Sequence, residues 1–283
     1  MLRFPRLTQC LFRRRRGRPW PNFGWLLRSR GGSHHFSIFI NNHSGTKKNY
    51  AIFTAAPNIT PSVERTWTSV IAVLRGVVSG SGEATFSMPK QVYAICGTSK
   101  SDQAAQILIE VLDRRPVSLG VRSSDGTLIP GTALEVEVSD ESPGFTTGVP
   151  PPPSGDETAF CIQTGHDFTF EAAKDGDFIL GLGGARIADK RLEQDVGRAY
   201  AFFIPQPNTT YQIKPSNVFC IAAVSSDVQP RTLTTPDSNS STCIVDFNEL
   251  QSDDVQIVHD TKGDLIIQTA PTACRCLIGT GGL

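Results

Sequence analysis

Apolar residues along this chain come in runs of four to seven, often alternating with polar ones and separated by Pro, Gly, Asn and Ser. Leu134-Glu-Val-Glu-Val138 alternates strictly, which is the period of a half-buried strand with one wet, acidic face. The densest stretch is Arg198–Val224. Tyr200 to Ile204 is stopped by Pro205-Gln-Pro207-Asn208, Tyr211 to Ile213 by Lys214-Pro-Ser-Asn217, and Val218 to Val224 comes next. Proline fixes φ and removes a ladder donor, while Asn and Ser close turns on themselves, so three strands and two turns are predicted.

The same reading extends over the rest of the chain. Phe36 to Ile40, the turn at Asn41–Gly45 and Tyr50 to Phe53 predict a strand, a turn and a strand, with Asn, Ser and Gly supplying the positive φ that a hairpin loop wants. Pro57 and Pro61 then break the apolar run. Trp67 to Val78 is apolar enough for a helix, but its β-branched residues and Gly76 favour one strand with a bend. Further strands are predicted at Thr85–Met88, Gln91–Cys96, Ile107–Leu112, Val117–Val121, Ala159–Gln163, Phe168–Glu171 and Phe178–Leu182. The last are Cys243–Phe247, Val255–Val258, Leu265–Thr269 and Cys274–Ile278. Residues 139–156, with four consecutive prolines, read as a loop within one domain, and Ala188–Val196 as a short helix or exposed loop. The predicted class is all-β: an antiparallel β-sandwich or flattened barrel over residues 36–283, preceded by a disordered Arg-rich extension.

Charge sharpens that division. Residues 1–35 hold nine Arg and no Asp or Glu, whereas the remainder has 18 basic residues against 27 acidic ones. Clustered cations are what phosphate backbones require, so the acidic body is not expected to bind nucleic acid. The leader is read first as a disordered extension or one upstream of the true start; being Arg-rich and acid-free it also resembles a mitochondrial transit peptide, and a nuclear-localisation run ranks behind both. No apolar run approaches the ~20 residues of a spanning helix, so a soluble, intracellular protein is expected, cytoplasmic unless the leader directs it to mitochondria. Seven cysteines lie mostly inside apolar runs, where they are expected to pack as small buried hydrophobes in a reducing compartment.

Chemistry-bearing patterns are sparse. Gly181-Leu-Gly-Gly184 follows a predicted strand, but position 186 is Arg where a dinucleotide fingerprint needs Gly, so a bulge, or a loop whose glycines allow close packing, is expected there. Cys274-Arg-Cys276 has no partner pair at zinc spacing, and no metal or cofactor is expected. His166-Asp167 reads as a turn rather than half of an acid–base pair, and a Cys or His hydrolase ranks last among functions. Aromatic residues at strand positions, Trp67, Tyr93, Tyr200, Phe202 and Tyr211 among them, are mostly core. A sandwich can nevertheless keep an apolar cavity with a few converging polar groups.

The blocks SIFINNHSGTKKNYAIFTAAP, FSMPKQVYAICGTS and AFFIPQPNTTYQIKPSNVFCIA resemble a group of small fungal β-rich proteins, the hetero-Diels–Alderases of tropolone-sesquiterpenoid biosynthesis. The resemblance covers most of residues 36–225 and brings no catalytic signature with it. It implies a cofactor-free cycloaddition, in fungal secondary metabolism, between a polyene terpene and a quinone methide. Such a reaction asks for a cavity that orients a small apolar substrate and for a donor that polarises the heterodiene. By chemical type Tyr211 and Lys214 are the candidate catalytic donors, and Trp67, Tyr93 and Phe202 the substrate-binding walls. The alternative is a non-catalytic β-sandwich that binds a small apolar ligand or a partner protein.

Overall fold

The computed structural model describes residues 34–101, 107–147, 155–165, 168–169, 177–184, 198–230, 233, 241–250 and 252–268. Most of the leader, the four-proline run, His166-Asp167, Ala188–Val196 and Cys274–Ile278 lie outside the described residues. The described residues are all-β. The first strands are β1 (His35–Asn42), β2 (Lys48–Thr54), β3 (Asn58–Thr60), β4 (Trp67–Thr68), β5 (Ala72–Val77), β6 (Glu83–Pro89) and β7 (Val92–Ser101). Then come β8 (Ile107–Pro116), β9 (Val121–Arg122), β10 (Leu128–Ile129), β11 (Ala133–Ser139), β12 (Ser142–Phe145), β13 (Phe160–Thr164) and β14 (Phe178–Gly184). The last are β15 (Arg198–Phe203), β16 (Thr210–Lys214), β17 (Val218–Val224), β18 (Thr242–Asp246), β19 (Asp254–His259) and β20 (Leu265–Gln268). Among the described residues no helix is long and apolar enough to cross a membrane.

Four open sheets carry the architecture: sheet I in the order β20-β19-β1-β6, sheet II β18-β17-β2-β5, sheet III β12-β11-β13-β16-β3 and sheet IV β4-β15-β14-β7-β8. Sheets I and II face each other, since Phe36 of β1 stacks on Phe247 just past β18 at 4.3 Å between centroids and meets Phe219 of β17 at 6.0 Å. Sheets III and IV do the same through Tyr211 and Phe203, whose rings lie 4.7 Å apart edge to face. One hydrophobic cluster takes residues from all four sheets, among them Ile38, Ile52, Ile162 and Leu180. The chain crosses between the two sandwiches four times, at residues 55–57, 69–71, 90–91 and 215–217. Neither sandwich is therefore a contiguous piece of sequence.

Several sequence expectations change in three dimensions. Pairing is mostly antiparallel, but β1–β19 and β11–β13 are parallel, which long excursions between the partners make possible. β1 and β2 are no hairpin: the turn after Asn42 hands the chain from sheet I to sheet II. Trp67–Val78 is two strands in different sheets, β4 and β5, and the break falls at residues 69–71 rather than at Gly76. Val117–Val121 contributes only Val121 to a strand, because β8 continues as far as Pro116. Inside the expected 139–156 loop, Asp140 and Glu141 at φ 50° and 60° form a tight turn into β12. Pro143 is tolerated there because β12 is an edge strand. Of the two expectations for the glycine group, bulge or loop, it is the bulge that forms, with the register of β14 shifting between Leu182 and Gly183.

Candidate functional site

At one end of the second sandwich two connections bridge sheets III and IV. Residues 61–66 carry the chain from β3 to β4 after a cis Thr60–Pro61 bond, and residues 204–209 carry it from β15 to β16. Between them lies a cavity of about 430 Å³, lined by Pro61, Val63, Arg65 and Trp67 from the first and by Pro205, Gln206 and Tyr211 from the second. That volume falls in the range of small-molecule sites.

Both walls are pinned. β4 pairs with β15 so that Trp67 stands opposite Phe202, and the rings stack 5.8 Å apart at 12°. Phe202 is in turn buried among Ile95, Ile109, Ile179 and Ala199 on the outer face of sheet IV. The second wall hangs on two hydroxyls. Tyr211 Oη accepts the Gln206 amide N–H at 2.6 Å, while Thr164 Oγ1 donates to the Gln206 carbonyl at 2.7 Å and accepts from the Thr209 amide at 2.9 Å. Polar groups at this surface come from Ser62, Glu64, Gln206 and Arg65. The Arg65 guanidinium lies 5.2 Å from the Trp67 ring centroid. It has no ion pair or hydrogen bond among the described residues. Burial raises the Tyr211 pKa, the Gln206 and Thr209 contacts opposing it only in part, so its hydroxyl stays protonated.

The five sequence candidates do not converge. Trp67 and Tyr211 line the cavity; Phe202 lies behind Trp67 and does not line it. Tyr93 is on β7, three strands from β4 in sheet IV, where Arg114 sits 5.7 Å from its ring centroid. Lys214 is three residues beyond Tyr211 on one strand, and the period of two sends them to opposite faces: Tyr211 into the sandwich, Lys214 outward and exposed. They cannot act on one molecule. Sequence reading missed Val63, Arg65 and Gln206 because they lie in connections without periodicity. The available signal was Arg65-Thr-Trp67, a cation two residues from an aromatic.

Among the described residues, four thiols and one tyrosine–histidine pair lie in or against the packed core. Cys96, Cys161 and Cys243 are buried thiols outside any disulfide and Cys220 is half-buried, in line with the expected hydrophobic role. Burial, with Asp113 nearby, pushes Cys96 up to about 12, and burial puts Cys243 at about 11. Tyr50 Oη and His259 Nδ1 meet at 2.8 Å in the core of the first sandwich. Among the described residues no three His, Cys, Asp or Glu side chains gather as a metal site requires. Comparison of the chain with family models, with characterised proteins and with solved structures finds no match.

Proposed function

We propose that this protein binds a small, largely apolar organic molecule in the cavity between residues 61–67 and 204–211. The observation that carries the reading is pre-organisation. Trp67 is backed by Phe202, and the facing loop is held by Tyr211 and Thr164, so the walls stand before a ligand arrives. Ordering that is already complete need not be repeated on binding, which is how a modest apolar cavity reaches useful affinity.

A second reading rests on the same walls. The resemblance to hetero-Diels–Alderases implies a cycloaddition, for which rigid walls would supply orientation and Arg65, 5.2 Å from the Trp67 ring, would be the group to polarise an oxygenated heterodiene. Tyr211 keeps a positioning role in this reading, because its hydroxyl is committed to the loop.

Two measurements separate these readings. Titration with a humulene-type triene should change protein fluorescence saturably, and Trp67→Ala should weaken binding at least tenfold; non-saturable binding, or an unaffected variant, would remove the cavity as the site. Incubation with that triene and a quinone-methide precursor, followed by chiral analysis, tests catalysis. Enantioenriched product that Arg65→Ala slows or makes racemic supports the cycloaddition. Racemic product at the background rate removes it and leaves the binding module.

A further inference from the structure

The outer face of sheet III carries a second set of groups that the apolar cavity does not use. Lys214 on β16 pairs with Asn58 on β3, and Gln212 pairs with Thr60, so four polar side chains share one face of two strands. Over that face lies the 156–159 segment. It is anchored to Gly120, whose carbonyl accepts the Thr158 amide at 2.7 Å and whose amide donates to the Ala159 carbonyl at 2.8 Å. The half-open pocket between them measures about 290 Å³ and is lined by Asn58, Thr60, Asp156, Glu157, Gln212 and Lys214.

The charges here are left open in a specific pattern. Glu157 is engaged by Arg122 at 3.3 Å, and Lys90 by Asp253 at 2.7 Å. Lys214 and Asp156 line the same pocket without forming an ion pair, and neither side chain finds a partner among the described residues. Beside Lys214, both polar atoms of the Gln212 carboxamide are buried with no hydrogen bond. An amide so placed calls for a polar partner inside the pocket. The pocket shares Asn58 and Lys214 with a cleft of about 700 Å³ at the seam between the sandwiches, where Phe36, Ala56, Val92 and Leu119 form an apolar part of the wall beside Lys90, Asn217 and Asn248.

We propose that this groove binds a zwitterionic α-amino acid with an apolar side chain. Its carboxylate lies on Lys214, its ammonium on Asp156, Gln212 and Asn58 meet the remaining polar valences, and the side chain enters the seam cleft. A cation and an anion separated by more than ion-pair distance select a ligand carrying both opposite charges, and a simple anion would leave Asp156 facing it.

The test uses the full ¹⁵N-labelled chain titrated with L-leucine, alongside N-acetyl-L-leucine, which lacks the ammonium, and L-leucinamide, which lacks the carboxylate. L-leucine should shift the backbone amides of Asn58, Gln212 and Lys214 saturably, and each blocked analogue should bind at least tenfold more weakly. Lys214→Ala and Asp156→Asn, both at exposed positions, should each weaken L-leucine at least tenfold while keeping the native spectrum elsewhere. Absence of saturable shifts, equal binding of either analogue, or variants that bind like the parent would overturn the proposal. The site is separate from the Trp67 cavity, so shifts confined to Val63, Arg65 and Gln206 would count against it as well.

Discussion

Tyr211 and Lys214 show how far the chemistry of a residue depends on the face it occupies. Tyr211→Phe removes the acceptor of the Gln206 amide, a loss of about 1 kcal/mol for a partly buried hydrogen bond. In a chain of this size that is a melting temperature lower by about 2–4 °C. Lys214→Ala, on the opposite face, should leave both stability and binding in the Trp67 cavity unchanged; thermal melts and the fluorescence titration check the pair. Buried thiols and Tyr50 set the alkaline limit. Burial raises Cys96 from 9.0 to about 12, Cys243 from 9.0 to about 11 and Tyr50 from 10.0 to about 12. The folded state therefore holds protons that the unfolded chain releases, and stability is full below about pH 9 and declines as pH rises toward 11 and 12. A melting temperature flat from pH 8 to 11 would contradict this. His259 has the opposite sign. Burial and Lys48 lower its pKa from 6.5, so its contribution is present above pH 6.5 and is lost as pH falls. The stability gap between the parent and His259→Gln should narrow between pH 7 and pH 5.

At the scale of elements, the glycine group of β14 shows what a strand gives up for close approach. A Cβ on Gly181 would meet the Ala201 carbonyl oxygen at 2.1 Å, and backbone in a paired strand cannot step aside. Gly181→Ala should cost about 1–3 kcal/mol or more, as overpacking does, whereas Gly144→Ala, with nothing within 4 Å, should be neutral. Chemical denaturation of the two variants measures the difference. Strand positions were largely legible: β1, β7, β11, β13, β14 and β16–β19 lie where alternation and Pro/Asn punctuation put them. β3 and β12 were not. They are three and four residues long and flanked by the prolines and turn residues that mark loops, and only their partners, β16 and β11, hold them as strands.

For the whole molecule, the four crossings and the shared core make independent unfolding of either sandwich costly. Removing one would tear residues such as Ile162 and Ile52 from a common cluster. Denaturant unfolding followed by far-UV circular dichroism and by near-UV signals should show one coincident transition. Two separated transitions would mean that the seam is weaker than its packing indicates. Long-range closure of this kind also predicts slow folding, since β1 waits for β19, more than 200 residues later, to complete sheet I.

What the sequence determined by itself was local. A period of two, β-branched and aromatic runs, and Pro, Gly and Asn between them specify strands because those preferences act within a few residues. The same rule, applied to Tyr211 and Lys214, already separates the two candidate donors. Which strands become neighbours was decided only in three dimensions. β15, β16 and β17 are consecutive in the densest stretch of the chain yet enter sheets IV, III and II. Nothing local distinguishes a turn that folds a strand back on its neighbour from one that hands it to the facing sheet, because both need the same punctuation and both bury the same alternate residues. The Trp67 cavity and the Lys214 groove exist only because of that choice: each is walled by residues whose distance in sequence carries no signal, brought together by the burial of apolar faces they do not share.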